Sequence, residues 1–373
     1  MIDFRFHIEA DTYVVWVAGI NRYLQLKEPA FRIFEQWAKG RDKSGMIKAC
    51  SAQYSLPEEE SMRFVDEITG QLDELFDAIP PEPGIQATEN NSLQSPEYHS
   101  DHTYQIGHHF FRFIYRNEYL EDLFHPLFRH HETIVTPEKS TCFELYTTGD
   151  RDAFRVNDSI VRFYPLAEID AFQGAVFMEI LNAFHGMNID DWMGVLHASA
   201  VTDGKSAVIF TAPSGSGKSS IALLMMVNGF RILSDDFVPI AMQEPEIYHF
   251  PAGISVKPGA IPFLQEYFPH LGSGSHKGSN ETEVYLPPAG ESGILASVKT
   301  KAIVFINYDP STEYELKKES NLEVMNQLIR QSWIAGTPDA SEKFLKWYFN
   351  LPVYTLRYSS NMKAVEGMRV LFG

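Results

Sequence analysis

Residues 212–219 read Ala-Pro-Ser-Gly-Ser-Gly-Lys-Ser. The order of these residue types suits one task, the cradling of a phosphate chain. Gly215 and Gly217 can take backbone conformations that turn successive N–H groups inward and form a concave nest for anionic oxygens. Lys218 follows at the position from which an ammonium reaches β- and γ-phosphates, and the Ser219 hydroxyl suits Mg²⁺. The nucleotide contacts are therefore expected from Ser214, Gly215, Ser216, Gly217, Lys218, Ser219 and Ser220. The first position of this Walker A pattern is Ala212 where glycine is usual. That position lies where strand becomes loop, so alanine is tolerable. Sixteen residues beyond Ser219 come two adjacent acids, Asp235 and Asp236. A phosphate-bound Mg²⁺ needs a carboxylate partner, and a phosphotransferase needs a base.

The elements that must position these groups are legible around them. Ser206–Thr211 (SAVIFT) is short and rich in branched and aromatic residues, which predicts a buried strand. Ser219–Val227 predicts a helix stopped by Asn228-Gly229. A strand, a glycine-rich loop and a helix N-terminus together supply the orphan donors and positive dipole end that favour phosphate. Phe230–Leu233 predicts a second strand that delivers the acid pair to its C-terminal end, the rim where α/β sheets take ligands.

The stretch LHASAVTDGK followed by GSGKSSIALLMMVNGFRILSDDFVPI resembles the core of HPr kinase/phosphorylase and its relatives, including the spacing from Ser219 to Asp236. The resemblance implies an α/β P-loop domain that binds ATP (or GTP) with Mg²⁺. Lys218 would lie on the phosphates, and Ser219 and Asp235 would surround the metal. Asp236 would be the general base for an acceptor hydroxyl, and His197 an auxiliary catalytic or orienting group. Asp235 and Asp236 could exchange roles, as adjacent carboxylates titrate together. The resemblance is close over 195–240 and loose elsewhere. The Glu-containing, glycine-rich signature of true HPr kinases is missing, and Pro251–Ile261 (PAGISVKPGAI) stands in its place. That departure argues against phosphorylase activity and against HPr as the acceptor. Lys257 is the basic residue best placed by order to approach phosphate or substrate, and Gly272–Ser279 reads as a loop able to act as a lid. HPr kinases assemble as oligomers, which implies a homo-oligomer here.

The first 80 residues read differently. Phe4–Ile8, Tyr13–Ala18 and Tyr23–Leu26 predict three short strands. Three helices follow, at Ala30–Lys39, Asp42–Tyr54 and Pro57–Leu75. Pro29 opens the first, and Ser55 is expected to N-cap the third ahead of Glu58-Glu59-Glu60. A small sheet followed by three helices is a winged-helix arrangement. With YLQLKEPAFRIFEQWAKG and ESMRFVDEITGQLDEL it resembles the PqqD-like domain, which binds leader peptides of ribosomally made, modified peptides. The resemblance implies a peptide partner that adds as a further strand.

The resulting fold class is α/β: a small winged-helix (PqqD-like) α+β domain over 1–78, a linker over 79–102 and an HPr-kinase-like P-loop domain over 103–373. The linker reading rests on Ile79–Asp101, rich in Pro, Asn, Ser and Glu without apolar period. Residues 103–131 mix aromatic and basic residues and support no firm assignment. Further strands are expected at Ala302–Asn307 and Pro352–Tyr358, and closing helices at Ser341–Phe349 and Asn361–Leu371.

A net charge of −18 opposes binding to nucleic acid. No apolar run is long enough to span a membrane, and the acidic N-terminus does not read as a secretory signal. Cys50 and Cys142, far apart, make neither a disulfide framework nor a metal knuckle, which suits a cytoplasmic setting. His108-His109 and His130-His131 are adjacent pairs whose side chains diverge, so neither reads as a metal site. The leading expectation is a kinase phosphorylating a Ser or Thr hydroxyl of a captured peptide or small protein. The alternatives are a small-molecule kinase or NTPase, and a nucleotide-binding peptide adaptor without catalysis.

Overall fold

The computed structural model describes residues 1–77, 97–157, 159, 162–213, 215–269, 271, 284–286 and 296–373. The chain is mixed α/β with several sheets. It divides into two compact units: 1–81 with 334–350, and 82–333 with 351–373.

In the first unit, strands Phe4–Glu9, Thr12–Val17 and Arg22–Lys27 form an antiparallel sheet in that order. The middle strand, TYVVWV, is buried along almost its whole length, as a central strand packed on both faces must be. Helix Glu28–Ala38 presents Phe31, Phe34 and Ala38 from one face onto Val15 and Val17. Full burial of each such phenylalanine is worth about 1.5–3 kcal/mol. Asp42 caps helix Lys43–Tyr54 by accepting from the Gly45 N–H at 2.6 Å. The third helix spans Glu58–Asp77. Ser55 does not N-cap it. Ser55 is left-handed, with φ 54°, and ends the preceding helix. So short a connection reverses the chain there, which leaves the serine in the turn.

Helix Pro338–Phe349, expected as a closing helix of the body, packs in this first unit against strand Phe4–Glu9. Its Phe349 ring stacks on His7 at 4.2 Å, and Phe344 meets Tyr23 edge-on at 5.5 Å. Asn21 links the hairpin to the same segment. It accepts from the Trp16 indole N–H at 2.7 Å and donates to the Ile334 carbonyl at 3.0 Å.

The second unit contains the sheet that carries the glycine-rich loop. Strand Ser206–Thr211 lies between Ser199–Thr202, antiparallel, and Ser297–Tyr308, parallel. Arg231–Asp235 pairs beyond Ser199–Thr202, and Val353–Tyr358 runs parallel to Ser297–Tyr308. Helix Lys218–Val227 is apolar on nearly every side from Ile221 to Met226 and is accordingly buried. It packs on the strands 199–202 and 231–235 and on helix Asn361–Phe372. The unassigned stretch resolves into strands Ser100–Ile106 and His109–Tyr115 and helix Glu118–Phe128. The strands join Thr141–Thr148, Arg151–Val156 and Arg162–Pro165 in a five-stranded sheet over a phenylalanine-rich core. Among the described residues, no helix is long and apolar enough to cross a membrane. Most of the expected linker (79–96 of 79–102) and the expected lid (272–279) lie outside the described residues.

Candidate active site

Strand Ser206–Thr211 ends at the loop, and helix Lys218–Val227 begins directly after it. Gly215 and Gly217 have φ of 84° and 99°, a region that favours glycine. At Gly217 a Cβ would also meet the Tyr358 hydroxyl at 3.4 Å. Ser214, expected among the phosphate contacts, lies outside the described residues.

The acid pair is delivered by the sheet. Asp235 is the last residue of its strand and stands opposite Ser199 in the antiparallel register. Its carboxylate is buried and accepts from the Ser199 hydroxyl and from the Ser219 hydroxyl, the latter 2.9 Å from Oδ2 and 3.1 Å from Oδ1. Burial pushes the Asp235 carboxyl well above its ordinary value, and the neighbouring Asp236 charge adds to the shift. Hydrogen bonds from Ser199 and Ser219 and the charge of Lys218 oppose it.

Asp236 is a left-handed non-glycine residue with φ 59°. Aspartate is among the residues that tolerate this conformation. The turn aims its carboxylate away from the strand and toward two nitrogens. Lys218 Nζ lies 3.5 Å from its Oδ1, and His197 Nε2 lies 3.6 Å from the same oxygen. Both separations exceed a good hydrogen bond, and Asp236 is 43% exposed. This oxygen is therefore held near the two nitrogens and stays accessible to solvent. The Lys218 ammonium is buried and also faces the Ala212 carbonyl at 3.4 Å.

These groups share a cleft of about 450 Å³, within the roughly 300–1,000 Å³ common for small-molecule sites. Its lining includes His197, Gly215, Gly217, Lys218, Ser219, Ser220 and Asp236, with Lys257 contributed from another loop. Ser216 is not part of that lining; its N–H bonds the Pro213 carbonyl at 3.2 Å and helps close the loop. Asp235 is not part of that lining, but its carboxylate is hydrogen-bonded to the lining residue Ser219. Apolar and aromatic residues, Val256, Phe263, Leu264, Tyr308 and Tyr358, form much of the remaining surface. A cleft with a carboxylate and an ammonium along one part and aromatic rings along another can hold a charged tail and a planar head together. The residues fit a hard divalent cation: the Ser219 hydroxyl and the buried Asp235 carboxylate converge, both as oxygen donors.

The chain matches no protein-family model and no curated protein.

The sequence reading missed Ser199, Tyr308, Tyr358 and Phe263. For Ser199 a signal existed, since it follows His197 by two residues in a stretch already singled out. The two tyrosines end the strands Ser297–Tyr308 and Val353–Tyr358. They run parallel to the strand that feeds the loop, so their C-terminal ends reach the same rim.

Proposed function

We propose that this chain is a P-loop kinase that moves the γ-phosphoryl group of ATP (or GTP) to a hydroxyl, with a body resembling the HPr kinases. The supporting observation is that Lys218, Ser219 and Asp236 line one cleft, with Lys218 meeting Asp236 and Ser219 meeting the buried Asp235. Mg²⁺, held through Ser219 and Asp235, would supply charge neutralisation on the phosphate oxygens. The loop N–H groups and the helix N-terminus bind the triphosphate, and Lys218 balances charge on its outer phosphates. Asp236 accepts the proton of the acceptor hydroxyl as the hydroxyl oxygen bonds to γ-phosphorus and the bond to the β–γ bridging oxygen breaks. The diphosphate leaves. His197, 3.6 Å from Asp236, orients that carboxylate. Asp236 suits the base role because it is accessible, whereas Asp235 is buried against two serines. An adaptor without catalysis would gain little from so placed a base.

The first unit, in this proposal, is a winged-helix domain of PqqD-like type that captures the peptide carrying the acceptor Ser or Thr. Strand Arg22–Lys27 pairs on one side only, with Thr12–Val17, among the described residues. In this proposal the peptide adds as a strand along its other edge. Sharing one chain with the kinase unit raises the effective acceptor concentration, to about millimolar for a short flexible tether.

The test is incubation with γ-labelled ATP, Mg²⁺ and the small peptides encoded beside its gene, with Asp236→Asn as control. Label in a peptide, lost in the control, supports the proposal. Label released only as free phosphate marks an NTPase, and tight peptide binding without turnover marks an adaptor.

A further inference from the structure

Away from the cleft, three residues from separate elements of the second unit converge. His102 is on strand Ser100–Ile106, His125 is on helix Glu118–Phe128, and Glu132 directly follows the short 3-10 turn Arg129–His131. Their candidate ligand atoms all lie within 4.8 Å of one another. We propose that His102, His125 and Glu132 form a binding site for a borderline divalent metal ion of the Zn²⁺ class.

The environment of His102 carries the proposal. Its Nδ1 lies 2.6 Å from Glu132 Oε1 and its Nε2 lies 2.8 Å from Glu121 Oε1. A neutral imidazole has one N–H and one lone pair. With a metal ion bound, the Nε2–H would donate to Glu121 and the Nδ1 lone pair would turn to the ion beside the Glu132 carboxylate. Glu121 then plays the part of the outer carboxylate that fixes the tautomer of a metal-bound histidine. It is itself anchored, accepting from the Ser100 hydroxyl at 2.6 Å.

His125 adds the second imidazole. Its ring stacks on His102 with centroids 4.0 Å apart, and its Nδ1 is 2.8 Å from the Tyr104 hydroxyl. Tetrahedral bonds of about 2.0–2.1 Å place donors roughly 3.3 Å apart. To reach that spacing the His125 ring, now stacked 25° from the His102 plane, would turn out of the stack so that both lone pairs point at one ion. Two imidazoles with one carboxylate favour Zn²⁺ over Mg²⁺ or Ca²⁺, which take oxygen donors. Glu132 is 40% exposed, which leaves an entry path and room for a water as fourth ligand. Bound metal would clip strand, helix and turn together.

The test uses the full chain, freed of metal with a chelator and titrated calorimetrically with Zn²⁺ in excess Mg²⁺. One equivalent is expected per chain. His102→Ala and Glu132→Gln should each weaken binding at least about tenfold, and Glu121→Gln by about 10–100-fold. His109→Ala should leave it unchanged. Glu132 is exposed, so its variant stays folded and keeps the test decisive. The proposal is overturned if Glu132→Gln and His102→Ala bind Zn²⁺ as the parent does. It is equally overturned if no Zn²⁺ binds to the metal-free chain.

Discussion

Ser219 and Asp235 are 16 residues apart in the chain, and the Ser219 hydroxyl lies within 3.1 Å of both Asp235 carboxylate oxygens. One residue further, Asp236 turns through a left-handed conformation and meets Lys218 instead. Two adjacent acids thus have different partners and different exposure, which is the basis for giving them different roles.

Asp236→Asn separates binding from chemistry. Asparagine tolerates the left-handed backbone and keeps the side-chain size, so the turn survives. Phosphoryl transfer should fall by about 10²–10⁴, the usual contribution of a general base. Nucleotide affinity, measured with a fluorescent analogue, should change by less than about threefold. A parallel loss of affinity would place Asp236 in binding rather than catalysis.

Asp235 makes stability depend on pH. Its folded-state value is raised by burial and by Asp236, so above about pH 4 the folded chain holds a proton that the unfolded chain releases. Stability without ligand should therefore fall as pH rises from the ordinary carboxyl range toward the raised folded value. Asp235→Asn removes that penalty. Its melting temperature near neutral pH should exceed the parent's by about 2–4 °C for each kcal/mol relieved, while Mg²⁺-dependent turnover is lost. A scan of melting temperature against pH checks both the slope and its disappearance.

The strand Ser206–Thr211 was legible residue for residue, because a short apolar run ending at a glycine loop admits few other structures. The pair Lys218 and Asp236 was legible because their spacing has a chemical reason. Residues 103–131 were not, since aromatic residues occupy both faces of the hairpin 100–115 and Pro126 sits inside the helix that follows. Strand Ser297–Tyr308 was expected only from Ala302, because its first residues are polar and owe their place to pairing with Glu246–Tyr248. Helix 338–349 was expected as a helix, but its packing partner is a tertiary matter that local periodicity does not encode. The cluster at His102 left only the helical spacing of Glu121 and His125 as a signal.

Phe344 tests that packing. It is 1% exposed and lies against Tyr23. Phe344→Ala should destabilise the first unit by about 3–5 kcal/mol. Hydrogen exchange in the full chain should show lost protection at Val14–Val17, with Ser206–Thr211 little affected. The reverse pattern would assign helix 338–349 to the other unit.

The most direct measurement of the central claim is the affinity of Lys218→Ala for ATP in the presence of Mg²⁺, by equilibrium titration against the parent chain. Loss of a buried charged partner to phosphate should weaken binding at least about tenfold, or about 1.4 kcal/mol. Unchanged affinity would mean that the loop of residues 212–219 does not hold the triphosphate.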